Sequence, residues 1–177
     1  PELLIVLVVV GVMSVVVVPH IEVFKYRMDG SVRGFTTALV MAQRSAVNRQ
    51  HDVVVAFDTA QRRIRIHQDA NNDGVVDAGE RIRYVTLDEG VRFGLGSAPS
   101  LTAEASDAVN FTDAQDGLPA VRFHRNGSAS TQGSFYLTSD RAIAGGYEKD
   151  TRAVEVARST GRATWYTYDP PAWKQGF

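Results

Sequence analysis

From Leu3 to Val18 the chain carries no charged side chain, and every residue except Gly11 and Ser14 is Leu, Ile, Val or Met. As a helix rising 1.5 Å per residue the run is about 24 Å long, short of the roughly 30 Å hydrocarbon core of a bilayer. The sequence begins at Pro1 with neither a Met nor a basic stretch ahead of the run. We therefore expect about three residues to precede it, and with Pro1 and Glu2 they bring the length to roughly 31 Å, enough to span. A secretory leader would need small residues at a cleavage site after Val18, whereas Pro19, His20 and Ile21 follow and the helical pattern continues.

The remainder has an ordinary folded composition. At 177 residues the chain has room for one compact domain and a little over. Nineteen Lys and Arg against 20 Asp and Glu leave a formal charge of −1, so the chain as a whole is no polycation, and any nucleic-acid binding must be local. The absence of cysteine removes disulfides, thiolate zinc sites, iron–sulfur clusters and cysteine nucleophiles together.

Beyond Pro19, the apolar residues Phe24, Met28, Val32, Phe35, Leu39, Ala42 and Ala46 recur at steps of three and four. They draw one stripe on an amphipathic helix running to about Gln50, with Lys25, Arg27, Arg33 and Arg44 on the other face. Gly30 and Gly34 weaken that helix by roughly 1 kcal/mol each, a loss that packing on a sheet must offset. After His51 the period switches to two, at Val53, Val55 and Phe57, then at Ile64 and Ile66, then at Ile82 and Tyr84. Residues 94 to 119 are rich in Ser, Asp, Gly and Pro and read as a long surface excursion. Strands resume at Ala120–His124, Ser134–Thr138, Arg152–Ala157 and Arg162–Tyr168, and the Pro-containing tail Asp169–Phe177 cannot start as a helix. The expected fold is α+β: a long N-terminal α-helix, apolar at its tip and amphipathic in its second half, packed on an antiparallel β-sheet globule. The corresponding division is 1–20 for the apolar helix, 21–50 for the packed helix and 51–177 for the globule.

The opening Glu2-Leu3-Leu4-Ile5-Val6-Leu7-Val8-Val9-Val10-Gly11-Val12-Met13 closely resembles the mature N-terminus of type IV pilins and type II secretion pseudopilins. Downstream, Leu39–Arg49 with Val53–Asp58, Val121-Arg122-Phe123 with Asn126-Gly127, and Ala153–Val156 leading to Gly161-Arg162 are similar to the GspH/FimT branch of that family. The resemblance implies the pilin fold and a structural subunit that sits in the inner membrane until it is extracted into a helical, cell-surface filament. Its apolar helix, Leu3, Leu4, Ile5 and Leu7 included, would then pack among copies of itself and other pilins. It also implies that Glu2 pairs with the N-terminal ammonium of a neighbouring subunit, and that the chain is locally extended between Gly11 and Pro19. Physical chemistry agrees on Glu2, since an unpaired carboxylate at a membrane centre costs on the order of 2.5–3.5 kcal/mol. The alternatives within the family are a minor pilin or pseudopilin of a type II secretion system, with a periplasmic pseudopilus, or a DNA-uptake subunit.

One loop carries distinct chemistry. Asp69-Ala70-Asn71-Asn72-Asp73-Gly74-Val75-Val76-Asp77-Ala78-Gly79-Glu80 satisfies the calcium-loop pattern at every position. Asp69, Asn71 and Asp73 offer side-chain oxygens, Gly74 the sharp turn, Val75 a backbone carbonyl, Asp77 an oxygen directly or through water, and Glu80 the bidentate closure. We expect calcium there as a structural staple in a hairpin, a polar β-turn being the alternative. Catalysis finds no support. His20, His51, His67 and His124 lie in no zinc-protease or nucleophile motif and are expected to be solvated or partly packed. Arg62, Arg63, Arg65, Arg81 and Arg83 could gather on one sheet face, but the acids of the neighbouring loop offset them, leaving nucleic acid a weakly supported partner. Trp165, Tyr166, Tyr168 and Trp173 are expected to fill core or to contact another subunit.

Overall fold

The computed structural model describes residues 3, 5–7, 23–102 and 107–176. The long helix α1 spans Val23–Arg49, and Gln50, with φ of 59°, closes it in the left-handed region. Met28, Val32, Phe35, Leu39, Ala42 and Ala46 are all buried, so the stripe is the packing face. Gly30 and Gly34 lie on the opposite, exposed face, and a side chain at Gly34 would meet open space. Neither glycine packs on a sheet itself, so the expected offset of their cost falls to the rest of the helix. The buried stripe across the helix carries it.

Ten strands follow: β1 (Asp52–Asp58), β2 (Arg63–Asp69), β3 (Arg81–Thr86), β4 (Val91–Phe93), β5 (Asp113–Gln115), β6 (Leu118–Phe123), β7 (Gly133–Ser139), β8 (Arg152–Val156), β9 (Ala163–Asp169) and β10 (Ala172–Gln175). They form two five-stranded sheets, β3-β2-β1-β6-β5 and β10-β9-β8-β7-β4. Every pairing is antiparallel. A short helix, α2 (Asp140–Gly145), continues from β7, with the Ser139 side chain accepting the Ala142 N–H at its start. The α+β architecture is as expected, with the antiparallel globule divided into two sheets.

Both sheets and α1 share one core. The Phe35 ring of α1 lies 5.9 Å from Phe93 of β4 and 6.1 Å from Phe135 of β7. Phe57 of β1 lies 5.0 Å from Phe135, so the first sheet meets the second directly. A smaller cluster, Val54, Ala56 and Ala120, occupies the other face of the first sheet. Tyr136 and Ala153, with Tyr166 and Trp173 packed against them, occupy that of the second. The C-terminal aromatics are therefore core-filling, with the Arg33 guanidinium 5.4 Å from the centre of the Trp165 ring.

Two local expectations are corrected, on the excursion and the arginines, while the tail, expected only not to start as a helix, forms a strand. The excursion 94–119 contains β5, joined to β6 by Asp116 (φ 53°) and Gly117 (φ 76°), the two positive angles of a tight type I′ hairpin. The tail turns back as β10 on β9. The arginines do not share a face: Arg65 pairs with Tyr84 and Ile66 with Arg83, so Arg63 and Arg65 lie on one side of the sheet and Arg81 and Arg83 on the other. Arg62, Arg63 and Arg65 are also matched to Asp140, Asp58 and Asp116.

Candidate functional site

The assembly residues Glu2, Leu4, Gly11 and Pro19 lie outside the described residues, as does His20. Leu3, Ile5 and Leu7 are described: they are helical and strongly exposed. Among the described residues no helix is long and apolar enough to cross a membrane, and most of the run Leu3–Val18 is not among them.

The loop between β2 and β3 is built from Asp69, the buried last residue of β2. Its carboxylate accepts the backbone N–H groups of Asp73 (3.1 Å) and Gly74 (2.8 Å), folding the chain back on itself where Gly74 takes φ of 80°. Asn72 Oδ1 accepts the Asp52 N–H at 2.7 Å and ties the loop to β1. The Asn71 amide donates to Asp73 Oδ2 and Asp77 Oδ2, both at 2.9 Å, bridging two carboxylates. Glu80 accepts the Ala70 N–H at 2.8 Å and the Asp77 N–H at 3.0 Å. The Asp77 N–H and then the His67 ring lower the Glu80 pKa to about 2. Val75 is exposed on the same turn. The five expected oxygen-bearing side chains thus belong to one compact loop. They are turned onto backbone N–H groups and the Asn71 amide, and among the described residues no three His, Asp or Glu side chains converge as a metal cage.

Beneath the loop runs a polar chain that sequence reasoning missed. His67 is fully buried on β2, against the expectation of a solvated ring. Its Nε2 faces Glu80 Oε2 at 2.6 Å and its Nδ1 faces Gln115 Nε2 at 3.0 Å. With Gln115 donating, the ring's own N–H points at Glu80. Gln115 Nε2 also donates to the Gly74 carbonyl at 2.9 Å, while Gln115 Oε1 accepts from Arg65 at 3.1 Å. The only hint of this in the sequence was Gln115 just ahead of the Asp116-Gly117 turn. Elsewhere, His124 Nδ1 lies 3.0 Å from Asp52 Oδ2 and His51 Nδ1 lies 2.9 Å from its neighbour's carbonyl, both partly buried.

At the end of the globule where α1 begins, Asp150 is buried. Burial works against its charge, but paired hydrogen bonds from Arg141 (2.5 and 2.8 Å) and one from Ser139 (2.6 Å) bring its pKa below the usual carboxylate range. At the opposite end, Gln43 of α1 donates to the carbonyls of Gly127 (2.8 Å) and Thr160 (2.6 Å), clamping two turns to the helix. Gly161 is buried there at φ of 61°, and any side chain would strike the Gly127 carbonyl and Gln43. The polar clusters described above hold turns and helix ends, with Gln43 on two turns and Arg141 and Ser139 on Asp150.

Residues 31–160 match the family described as type II transport protein GspH, a span from α1 through the first sheet and strands β4, β7 and β8 of the second. The chain belongs to the GspH family. Within that span lie Leu39–Arg49, Val53–Asp58, Val121–Phe123, Asn126-Gly127 and Ala153–Val156, which supply the end of α1, β1, β6, a turn held by Gln43, and β8. Two solved structures of the minor pseudopilin EpsH from the type II secretion system of Vibrio cholerae share the GspH-family fold. Each is 16% identical with a TM-score of 0.51 over 82% of this chain, covering 99% and 98% of its own length. No curated protein sequence matches. The pilin and pseudopilin resemblance thus holds, on its GspH-like branch.

Proposed function

We propose that this chain is a GspH-like minor pseudopilin of a type II secretion machine. In this reading the segment 1–20 holds it in the inner membrane until Leu3, Leu4, Ile5 and Leu7 pack against the helices of other pseudopilins in a periplasmic pseudopilus. The family match over residues 31–160 carries the reading and favours it over the main subunit of a surface pilus, the first expectation. The role is structural and not catalytic: the chain exchanges lipid contact for helix contact, and Glu2 sets the register by pairing with a neighbour's ammonium. Gly11 and Pro19 loosen the helix between them for that exchange. Replacing the native subunit by Glu2→Ala in its secreting host should leave a folded globule in the membrane, while secretion and co-purification with the other pseudopilins fall at least tenfold. Undiminished secretion and co-purification would sink the proposal.

We further propose calcium as a structural ligand of Asp69, Asn71, Asp73, Asp77, Glu80 and the Val75 carbonyl. The support is the complete loop pattern and the Asn71 amide lying between two carboxylates; turning that amide over would offer its oxygen to a cation. Millimolar calcium should raise the melting temperature by several degrees in the wild type and not in Asp73→Ala. Calorimetry without heat, together with an unchanged melting temperature, would remove the site.

A further inference from the structure

The end of the globule at which α1 begins carries a cluster of exposed aromatic and aliphatic side chains. Tyr26 on α1 is 73% exposed, Ile143 on α2 50% and Tyr147 just after α2 55%. Arg141 ties Tyr147 to the start of α1: its guanidinium lies 4.6 Å from the centre of the Phe24 ring and 4.9 Å from that of Tyr147. The Asp140 N–H bonds the Gly90 carbonyl at 2.9 Å, and a side chain at Gly90 would touch the Phe24 ring, so α2 and the first turn of α1 meet across one short loop. Lys25 and Tyr147 line the same groove of 720 Å³, and Lys25 has no ion-pair partner among the described residues.

Covalent geometry says what lies next to this pole. Six residue-to-residue steps lead from Val18, the last of the apolar run, to Phe24. They span at most ~21 Å extended and about 9 Å as a helix. With the run in a bilayer, as the proposed function requires, Phe24 is tied to within that distance of the hydrocarbon edge, where the headgroup layer is itself about 5–8 Å thick. Tyrosines and a lysine beside an aliphatic side chain are the residues that interfaces favour, since their rings and stems enter the headgroups while their polar ends stay wet.

We infer that the Tyr26–Ile143–Tyr147 pole is a docking surface for the bilayer interface, seating the globule on the membrane before assembly. The contact is apolar rather than ionic, because each cation around it but Lys25 already faces a carboxylate: Arg62 and Arg92 share Asp140, Arg141 pairs with Asp150, and Lys149 and Lys174 share Asp169.

The test uses the full chain, which has no cysteine of its own. Single-cysteine variants Ala144→Cys, Val47→Cys and Ile5→Cys are labelled with an environment-sensitive fluorophore and reconstituted in phosphatidylcholine–phosphatidylethanolamine vesicles. Lipids with a spin label on the headgroup then quench the probe. The probe at position 144 should be quenched at least threefold more strongly than that at position 47, about 35 Å up the helix from Phe24. High salt should leave the difference intact, and adding Ile143→Ser with Tyr147→Ser should abolish it. Equal quenching at 144 and 47 while the Ile5→Cys probe is lipid-quenched would overturn the docking surface and leave the membrane anchor standing. An Ile5→Cys probe open to aqueous iodide and untouched by lipid would overturn both. A difference that survives the double serine substitution, or disappears with salt, would also defeat the inference.

Discussion

Arg152 is the largest fully buried side chain of the described residues, and its burial depends on one carboxylate. Its Nε and Nη2 each lie 2.9 Å from Asp29 Oδ1, and its Nη1 donates to the carbonyls of Lys149 and Thr151 at 2.6 and 3.1 Å. Asp29 is the single acidic residue of α1, so this pair fastens the helix to β8 of the second sheet. The two ends of the pair differ in exposure: the Arg152 side chain is 2% exposed and that of Asp29 30%. Asp29→Ala strands a buried cation and should cost about 3–5 kcal/mol. Arg152→Met leaves a carboxylate that water can reach and fills the site with apolar volume, so it should cost less. Urea unfolding of the two variants reads the order directly, and an Arg152→Met more damaging than Asp29→Ala would show that the guanidinium's bonds to the carbonyls, rather than its charge, hold it there.

Among the elements, what was legible in the sequence is what a local period encodes. The stripe of α1 follows the 3.6-residue repeat, and in β1 and β2 the alternate residues Val53, Val55, Phe57, Ile64 and Ile66 follow the two-residue repeat, because each of these sets faces one common core. β5 is three residues long and shows no period at all; only its Asp116-Gly117 turn was readable, as chemistry suited to two positive φ angles. α2 escaped for a related reason. In Asp-Arg-Ala-Ile-Ala-Gly only Ala142 is buried and Ile143 faces outward, so there is no stripe to find. The split into two sheets depends on pairings such as β4 with β7, separated by the first sheet's own β5 and β6, and strand propensity is silent about such partners. The loop at 69–80 was legible residue by residue. Its support was not, since a buried His67 and Gln115 are brought together by β2 and β5 from positions far apart in the chain.

For the whole molecule, the consequential question is whether two sheets and α1 unfold as one body. The Phe57–Phe135 contact joins β1 to β7 across the core, Phe111 stacks on Phe57 at 5.0 Å, and Phe35 of α1 closes the group from above. These rings belong to three different parts of the fold, so removing one weakens every interface at once. Phe57→Ala should therefore destabilise the protein by about 3–5 kcal/mol without introducing an intermediate. Two probes separate the alternatives. Far-ultraviolet circular dichroism reports both sheets and α1, whereas tryptophan fluorescence reports the second sheet and its contact with α1, since Trp165 and Trp173 sit on β9 and β10 and Arg33 covers Trp165. In detergent with increasing urea, both signals of Phe57→Ala should move to lower midpoints and remain superimposed. If the dichroism falls in a first step while the tryptophan signal stays native, the first sheet unfolds alone, and the single core linking α1 to both sheets is not the cooperative unit that the ring contacts imply.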